Sequence, residues 1–449
     1  MQRLWPTSAE NGQLALKGAL NRNRRHARQL NVSVGLYRRL VTASTAERAP
    51  AARLPRAYLV WRCGALVSQL GDAALYFGLG WAASAHGGPA VALVLTAVNL
   101  PQSVLLLVGG TVGDRLGARR VMIAGDSVML AVAAVLALVS WRWSTPLALL
   151  AAAGLIMGTV NAFYLPSSGS MPRQLVGDEQ LPRALALNQA GSRLVSMVGG
   201  PVGGALVGLA GFTAASAADS ASFAAVLAAL IAVRPRFTPP EGPRRSVLRE
   251  SVDGIRVALK TPGLAALLLL VGGVAGFVIP VTSLLVPLIA RQHHWTATVA
   301  GLIVGAQAAG GIAVAVVVAR RGSPSRPGLA SALALAIVAA GELTIGLAPG
   351  KALAVAGAAV VGLGVGVFTC SLGPVLMGTA PRTHLARVQA LLSLAQSGAL
   401  LAFNNVLGAV AHAASPSWAM ITCASVISAC ALAALLVPAI RNARPPQAS

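Results

Sequence analysis

The recurrence of long apolar runs constrains the fold more than any other feature of this sequence. From residue 59 onward, such runs follow one another, and charged residues are nearly confined to the short segments between them. About 20 mostly apolar residues are enough for a helix to cross the hydrocarbon of a bilayer. Only 10% of the residues are charged, against roughly a quarter in soluble domains, so the chain cannot cover a water-facing surface. The sequence therefore predicts an all-α membrane protein.

Twelve apolar runs are candidate membrane spans, and we number them one to twelve in chain order. The longest connection between two of them, residues 234–262, divides the spans into six and six. The spans lie near residues 59–82, 89–112, 121–141, 146–165, 184–209, 213–233, 263–290, 297–319, 327–348, 352–377, 386–411 and 417–440.

The placement of positive charge indicates the orientation. If the N-terminus is cytoplasmic and the spans alternate, 30 of the 35 Lys and Arg residues fall in cytoplasmic segments and three in outer loops. This bias agrees with the positive-inside rule, so we expect a multi-pass protein of the plasma membrane with both termini in the cytoplasm. The charges lie in short segments rather than on one water-exposed face, so we expect no nucleic-acid partner.

The two groups of six spans are related in sequence. Residues 185–194, "LALNQAGSRL", align with residues 392–401, "LSLAQSGALL". Together with the division into six and six, this favours two pseudo-symmetric six-helix bundles, the architecture of many secondary transporters. We predict a basic cytoplasmic extension over 1–56, bundles over 57–233 and 263–440, a cytoplasmic linker with an amphipathic helix over 234–262, and a cytoplasmic tail over 441–449.

The segment "GTVGDRLGARR", residues 110–120, carries dense charge between two spans. On the predicted topology it is the cytoplasmic loop between spans two and three. Gly113 and Gly117 permit a tight turn, because glycine adopts positive φ angles without a steric penalty. Asp114 can cap a helix N-terminus, where partial positive charge collects. The arginines alone would suit a loop that only anchors the protein on the cytoplasmic side, whereas the aspartate and the glycines go beyond that need.

This loop resembles the signature of the major facilitator superfamily, Gly-x-x-x-Asp-Arg-x-Gly-Arg-Arg. The resemblance implies that the loop locks the cytoplasmic side shut and reorganises as the two halves rock. We expect span eleven to begin near Leu385 and to present its N-terminus to Asp114, with Asp126 of span three in the same gate network. The matching residues are Gly110, Asp114, Arg115, Gly117, Arg119 and Arg120, with Ala118 inserted before the last pair.

A second motif, "GGPVGG" in span five, is similar to the Gly-Pro element of exporters in that superfamily. A proline bends a membrane helix, and glycines let a neighbouring helix approach closely. The motif residues are Gly199, Gly200, Pro201, Gly203 and Gly204. The phrases "LVSQLGD" (66–72), "AFYLPSSGSMPRQL" (162–175) and "DSASF" (219–223) also resemble macrolide-efflux multidrug exporters, and the resemblance covers residues 57–440.

Span one carries a polar stripe, because Arg62, Gln69, Asp72 and Tyr76 fall within an arc of about 80° on a helix. Charge at this depth is costly and indicates a functional site or a structural ion pair. We therefore predict that Asp72 binds protons or substrate. An unpaired buried arginine would be unfavourable, so we predict that Arg193 in span five is its ion-pair partner.

Other polar residues within the spans suggest a large cavity that accepts an amphipathic solute. Each amide could instead form only an interhelical hydrogen bond. For Asp219 and Glu342, near the outer ends of spans six and nine, we expect water to reach the carboxylates. The further candidate cavity residues are Asn99, Gln102, Asn161, Gln189, Gln307, Gln389 and Gln396.

These observations favour a secondary active transporter, an antiporter that exports drug-like or antibiotic-like amphipathic compounds by proton-coupled alternating access. A dedicated exporter of one metabolite or siderophore is the alternative within transport. A membrane-embedded enzyme is disfavoured because the sequence has no DDxxD, HExxH or GxSxG motif. A transporter-like sensor would normally add a soluble output domain. We expect no cofactor or metal and a monomer whose partners are substrate, protons and lipid.

Overall fold

The computed structural model describes residues 54–234, 237, 264–322, 324–379, 385–437 and 441, without the side chains of residues 107–111, 113–114, 264, 374, 376–379 and 385–390. The described residues form helices and short connections and contain no β-strand. The predicted amphipathic helix within 234–262 lies outside the described residues. So do residues 1–53 of the predicted extension and the tail beyond residue 441. The predicted domain boundaries stay predictions.

Within each half of the chain the described helices follow one another with short connections, and a π-helical turn, Val281–Leu285, joins two of them directly after Pro280. Proline lacks the N–H group that a regular helical turn would use. The helices are α1 Arg56–Ser84, α2 Gly88–Leu116, α3 Ala118–Arg142, α4 Leu147–Leu175, α5 Leu181–Ala232, α6 Leu264–Pro280, α7 Val286–Gln292, α8 Ala297–Arg321, α9 Pro327–Gly346, α10 Lys351–Thr379, α11 Leu385–Ala413 and α12 Pro416–Leu436.

The predicted fold class is confirmed. Within the described residues, 10 helical segments are long and apolar enough to cross a membrane, with α6 and α7 forming one continuous segment. α5 has 52 residues and breaks its helical geometry at Gly211, where φ is 81° and ψ is 174°. It therefore counts as two crossings, residues 181–210 and 212–232, which we call its first and second arms. With the 29-residue α1 added, the arrangement is consistent with twelve crossings.

Contacts along α1 show that α5 folds back at Gly211. The first arm runs parallel to α1, since the Tyr58 hydroxyl donates to the Ala184 carbonyl over 2.6 Å near the start of both. The second arm runs antiparallel, because Gly64 of α1 packs against Ala229 near the end of that arm. We call the end of the bundle where α2 turns into α3 the motif end, and the opposite end, which holds Gly211, the far end.

The first arm of α5 and α8 meet in the half of the bundle nearer the far end. Gly204 lies directly against Gly301, and Gly200 lies against Val304. A side chain on either α5 glycine would overlap its neighbour, so the two helices approach this closely because the side chains are absent.

A second contact at the far end joins α2 and α11. Gly88 lies against the Gly408 carbonyl. Further from that end along both helices, the Asn405 side chain donates to the Thr96 hydroxyl over 2.9 Å. Helices from the first half of the chain thus contact helices from the second half.

Arg291 of α7 forms the third far-end contact. Its guanidinium lies 4.3 Å from the centre of the Trp81 ring of α1. It also donates to the Trp81 carbonyl over 3.2 Å and to the Ser84 hydroxyl over 3.3 Å. We call these three sets of contacts the far-end seam.

Replacing Gly211 by alanine tests the reversal of α5. Its φ and ψ lie in a region that is essentially restricted to glycine, so Gly211→Ala should destabilise the fold by about 1–3 kcal/mol. We expect a lower melting temperature of the purified protein in detergent. Gly350→Ala is the control, because Gly350 also lies in a far-end connection and has open space around it. Equal melting temperatures for the two variants would contradict a strained reversal at Gly211.

Candidate transport site

A chain of hydrogen bonds joins the polar stripe of α1 to the first arm of α5. The Arg62 side chain is 2% exposed, and it donates to the Asn188 carbonyl over 2.7 Å and to the Ser192 hydroxyl over 3.0 Å. Ser192 in turn donates to the Gln69 side-chain oxygen over 3.0 Å. Two members of the predicted stripe, Arg62 and Gln69, are therefore connected through a serine of the neighbouring helix.

The stripe continues towards α4 at Tyr76. The Asn161 amide lies 3.4 Å from the Tyr76 hydroxyl, to which it donates a long hydrogen bond. Both residues are half-buried. The predicted cavity residues Tyr76 and Asn161 are thus brought together.

Asp72 lies between these two polar contacts along α1 and is half-buried. It interacts electrostatically with Tyr76 on its own helix, Asp126 of α3, Tyr164 of α4 and Asp219 of α5. Among the described residues, the structure records no ion pair for Asp72. The polar environment of this carboxylate therefore consists of hydroxyls and other carboxyls rather than a cation.

Asp126 of α3 is a second buried carboxyl in the polar environment of Asp72. It is 1% exposed, and within the described part of the chain neither of its side-chain oxygens forms a well-aligned hydrogen bond, although the Tyr164 hydroxyl is near enough to interact with it. It lies about 12 Å along α3 from Ala118, at 1.5 Å per residue, and interacts electrostatically with Asp72 and Tyr164. Its predicted role in the cytoplasmic gate stays a prediction.

The expectation that water reaches Asp219 and Glu342 is wrong, since both side chains are 0% exposed. Asp219 is covered because the second arm of α5 packs against α1 at Gly71, where no side chain holds the helices apart. Glu342 is covered where α9 packs against its neighbours, and it interacts electrostatically with Cys423 of α12. Nearness to a span end therefore did not imply solvent access.

The predicted ion pair between Arg193 and Asp72 is not present among the described residues, and Arg193 is exposed. The reason is the rotation of α5. Gly191 and Gly199 face α1, whereas Arg193 lies within about 20° of Gly200 and Gly204, which face α8. Arg193 therefore points towards α8, on the motif-end side of the place where the two helices touch.

The remaining predicted cavity residues are not joined into one site. Gln189 is exposed, on the same arm of α5 as Arg193. The half-buried ones are Asn99, Gln102, Gln307 and Gln396, and the Gln389 side chain lies outside the description. Their role in a cavity stays a prediction.

Two polar residues of the site, Ser192 and Tyr164, were missed in the sequence. Ser192 directly follows Gly191, which packs against Leu66 and Arg62 of α1. A signal was present, because a small or polar residue recurs on one side of α5 at Ala184, Asn188 and Ser192. Tyr164 is three residues after Asn161, which is one helical turn.

The predicted gate motif forms a very short connection. α2 continues to Leu116, Gly117 has a φ of 87°, and α3 begins at Ala118. Gly117 is therefore the turn residue, as predicted, whereas Gly113 lies inside α2. A non-glycine side chain would be strained at this positive φ.

Arg119 ties this turn to the end of α5. Its side chain donates to the carbonyls of Leu230, Ile231 and Val233 over 2.9, 3.1 and 3.0 Å. These carbonyls lack partners within the helix, and a cation is favourable at a helix C-terminus. Arg115 and Arg120 are exposed.

The predicted gate also requires a contact between Asp114 and the N-terminus of α11. The described part of α11 begins at Leu385, directly after residues that lie outside the description, so the predicted helix start stays a prediction. The side chains of Asp114 and of residues 385–390 lie outside the description, so their contact stays a prediction. Gly110 falls within α2.

The Gly-Pro motif faces two helices at once. Gly199 and Gly203 pack against α1, at Ala73 and Ala74 respectively. The other three motif residues face α8, where Gly200 and Gly204 join the far-end seam and Pro201 packs against Gly305. The close helix approach predicted from these glycines is therefore observed on both sides of the arm.

Comparison with known proteins gives a match to one sequence family and structural similarity to several transporters. A sequence profile described as Major Facilitator Superfamily matches residues 63–404. The structure of nucleoside transporter NupG is similar with a TM-score of 0.64 and 13% identity, over 85% of this chain and 98% of that chain. No curated protein sequence matches this chain significantly.

Two further solved structures have the same TM-score of 0.64. A POT family transporter in complex with 5-aminolevulinic acid is 12% identical, over 85% of this chain and 96% of that chain. A bacterial homologue of iron transporter ferroportin in inward-facing state is 16% identical, over 86% and 100%. At such identities the likeness shows the fold alone.

Removing the Ser192 hydroxyl tests the hydrogen-bond chain. Ser192→Ala deprives Arg62 of one acceptor and Gln69 of a donor, so it should destabilise the protein by about 1–3 kcal/mol. We expect a lower melting temperature in detergent. The control is Ser196→Ala one turn later, because Ser196 is exposed and donates only to the Ser192 carbonyl. If the melting temperature falls no further in Ser192→Ala than in this control, the hydrogen bonds through Ser192 add nothing to stability.

Proposed function

Because the chain belongs to the Major Facilitator Superfamily, we propose that it exports small amphipathic compounds by proton-coupled alternating access. Membership of this family makes it a membrane transporter and not an enzyme. Proton coupling, the direction of transport and the macrolide-efflux type of substrate are parts of the proposal.

The observation that carries proton coupling is the environment of Asp72. A carboxylate within a membrane-spanning helix is expensive when ionised and marks a candidate proton or ion pathway. No cation pairs with Asp72 among the described residues, and nearby Asp126 and Asp219 are carboxyls too. A proton is the simplest species that can neutralise such a group. Taking up and releasing that proton would change the charge that the site presents to a substrate.

Alternating access is supported by where the two halves of the chain touch. α5 and α8 are in contact at Gly204 and Gly301, whereas Arg193 on the same face of α5 is exposed nearer the motif end. The described far-end contacts between the two halves, with Arg193 exposed on the motif-end side of them, fit one state of such a transporter. The positive-inside rule assigns the motif end to the cytoplasm of a plasma membrane. The substrate would then enter this state from the cytoplasm.

The chemistry of the predicted cavity suggests the substrate class. Asn161 and Gln69 present neutral amide groups, and the half-buried Asn99, Gln102 and Gln307 would add others. Neutral hydrogen-bonding groups among apolar side chains suit amphipathic compounds better than small ions. The dedicated export of one metabolite or siderophore remains the alternative. Competition by a panel of drugs and siderophores against transport of a labelled compound separates the two proposals. Transport by a dedicated exporter would be inhibited by one compound class.

Replacing Asp72 by asparagine tests proton coupling. In inverted vesicles, an imposed proton gradient should drive uptake of a transported drug by the wild-type protein. Asp72→Asn should reduce this drug uptake to background, because the amide cannot carry a proton. The control is Asp178→Asn, which removes an exposed carboxylate from the connection between α4 and α5. Undiminished uptake by Asp72→Asn would remove Asp72 from the mechanism.

Replacing Asp114 by asparagine tests the predicted gate. If Asp114 stabilises the closed motif end through a helix N-terminus, loss of its charge should slow transport about tenfold, the equivalent of about 1.4 kcal/mol. Membrane insertion, measured by fractionation and by labelling of cysteines introduced into the loops, should be unchanged. Loss of insertion with Asp114→Asn would return the loop to a role as an anchor.

A further inference from the structure

Asp219, on the second arm of α5, is a buried carboxyl that the proposed mechanism does not yet use. Its side chain is 0% exposed. One side-chain oxygen lies 3.2 Å from the Ser222 hydroxyl, which donates over a shorter 2.7 Å to the Asp219 backbone carbonyl, and the other, Oδ2, has no hydrogen-bond partner among the described residues. A single hydroxyl donor cannot neutralise an ionised carboxylate in a buried site.

Asp219 is in direct contact with the backbone of α1 next to Asp72. A Cβ atom placed on Gly71 would lie 2.5 Å from the nearer Asp219 oxygen and would overlap the Ser222 hydroxyl. Glycine is therefore the residue that lets this carboxyl reach α1. The following residue is Asp72, and the two carboxyls interact electrostatically.

The other elements around Asp219 supply no compensating charge within the described part of the chain. α3 packs beside the second arm, where Ser140 contacts the Thr213 hydroxyl over 2.8 Å and the Leu130 carbonyl accepts from Ser220 over 3.4 Å. These groups are neutral. Among the charged groups of the described residues, Asp72 is the one that acts on Asp219, and Asp126 of α3 is a further carboxyl that interacts with Asp72.

Two ionised carboxylates on packed helices, one of them fully buried and neither paired with a cation among the described residues, repel each other. The pair is stabilised when it holds at least one proton, and each group then titrates in a way that depends on the other. Carboxyls of this kind inside a membrane protein occur along proton pathways.

We propose that Asp219 is a second proton-binding residue of this transporter and that its protonation is linked to that of Asp72. The role in transport rests on the proposed proton-coupled function, whereas the linked titration is a property of the folded protein alone. The ligand is the proton itself, supplied from water when the site opens. Asp219 thus joins Asp72 in carrying protons.

Infrared spectroscopy of the full chain in nanodiscs tests the linkage, with bulk pH as the probe. Asp219→Asn should remove part of the carbonyl stretching band of protonated carboxyls and move the titration midpoint of the remaining Asp72 signal by about one pH unit. Asp72→Asn should produce the reciprocal change. If Asp219→Asn does not fold, Ser222→Ala provides the test instead. This variant keeps the Asp219 carboxyl and should alter its infrared signal.

Glu342→Gln is the matched control, because Glu342 is equally buried, also lacks hydrogen-bond partners for both side-chain oxygens within the described residues, and lies on α9. It should leave the Asp72 midpoint in place. An unchanged midpoint in Asp219→Asn, or the same shift in Glu342→Gln, would overturn the linkage.

Transport measurements separate the two proposals. In inverted vesicles, Asp219→Asn should lower proton-driven uptake about tenfold or more, and Glu342→Gln should not. Linked titration without any proton-driven uptake by the wild-type protein would reject the proposed function and keep the linked pair. Proton-driven uptake that is equal in wild type and Asp219→Asn would reject the transport role of Asp219.

Discussion

The structure depends on the absence of water around helices that must still place polar groups inside the membrane. Each such group has to find a partner on a neighbouring helix or be neutralised. The arginine on α1 solves this with two acceptors on α5, through Asn188 and Ser192. The nearby carboxyls have no cation among the described residues and are left with hydroxyls and with one another. This contrast separates the groups that hold the helices together from those that are suited to bind protons.

The same constraint explains the use of glycine on α5. Hydrophobic burial does not drive helices together in lipid, so association relies on close packing and hydrogen bonds. The Gly-Pro motif supplies small residues on two sides of one arm, with Gly199 and Gly203 towards α1 and Gly200 and Gly204 towards α8. One short stretch therefore fixes the inner packing of the first half and its contact with the second half. A bulkier residue at Gly199 or Gly203 would separate α5 from α1, and one at Gly200 or Gly204 would separate α5 from α8.

Sequence reasoning recovered the features that depend on length and pattern, and it failed where rotation of a helix decides. Long apolar runs require helices, and the predicted fold class is confirmed because it follows from that pattern. The pairing of Arg193 with Asp72 is wrong, because depth in the membrane does not tell which neighbour a residue faces. The burial of Asp219 was missed for a related reason. It depends on Gly71 of a distant helix, and the spacing within one segment contains no information about that contact.

The carboxyls are distributed unequally, and this bears on how proton binding could move the protein. From residue 264 to the end of the chain, Glu342 is the one acidic residue in the sequence, whereas Asp72 and Asp219 meet where α1 packs against α5. Both of these helices also belong to the far-end seam, α1 through Trp81 under Arg291 and α5 through Gly204 against Gly301. A proton that changes the packing of α1 on α5 therefore acts on two of the three contacts that hold the far end closed. In the proposed mechanism, carboxyls of the first half bind protons. The second half then moves because it contacts α1 and α5 at the far-end seam.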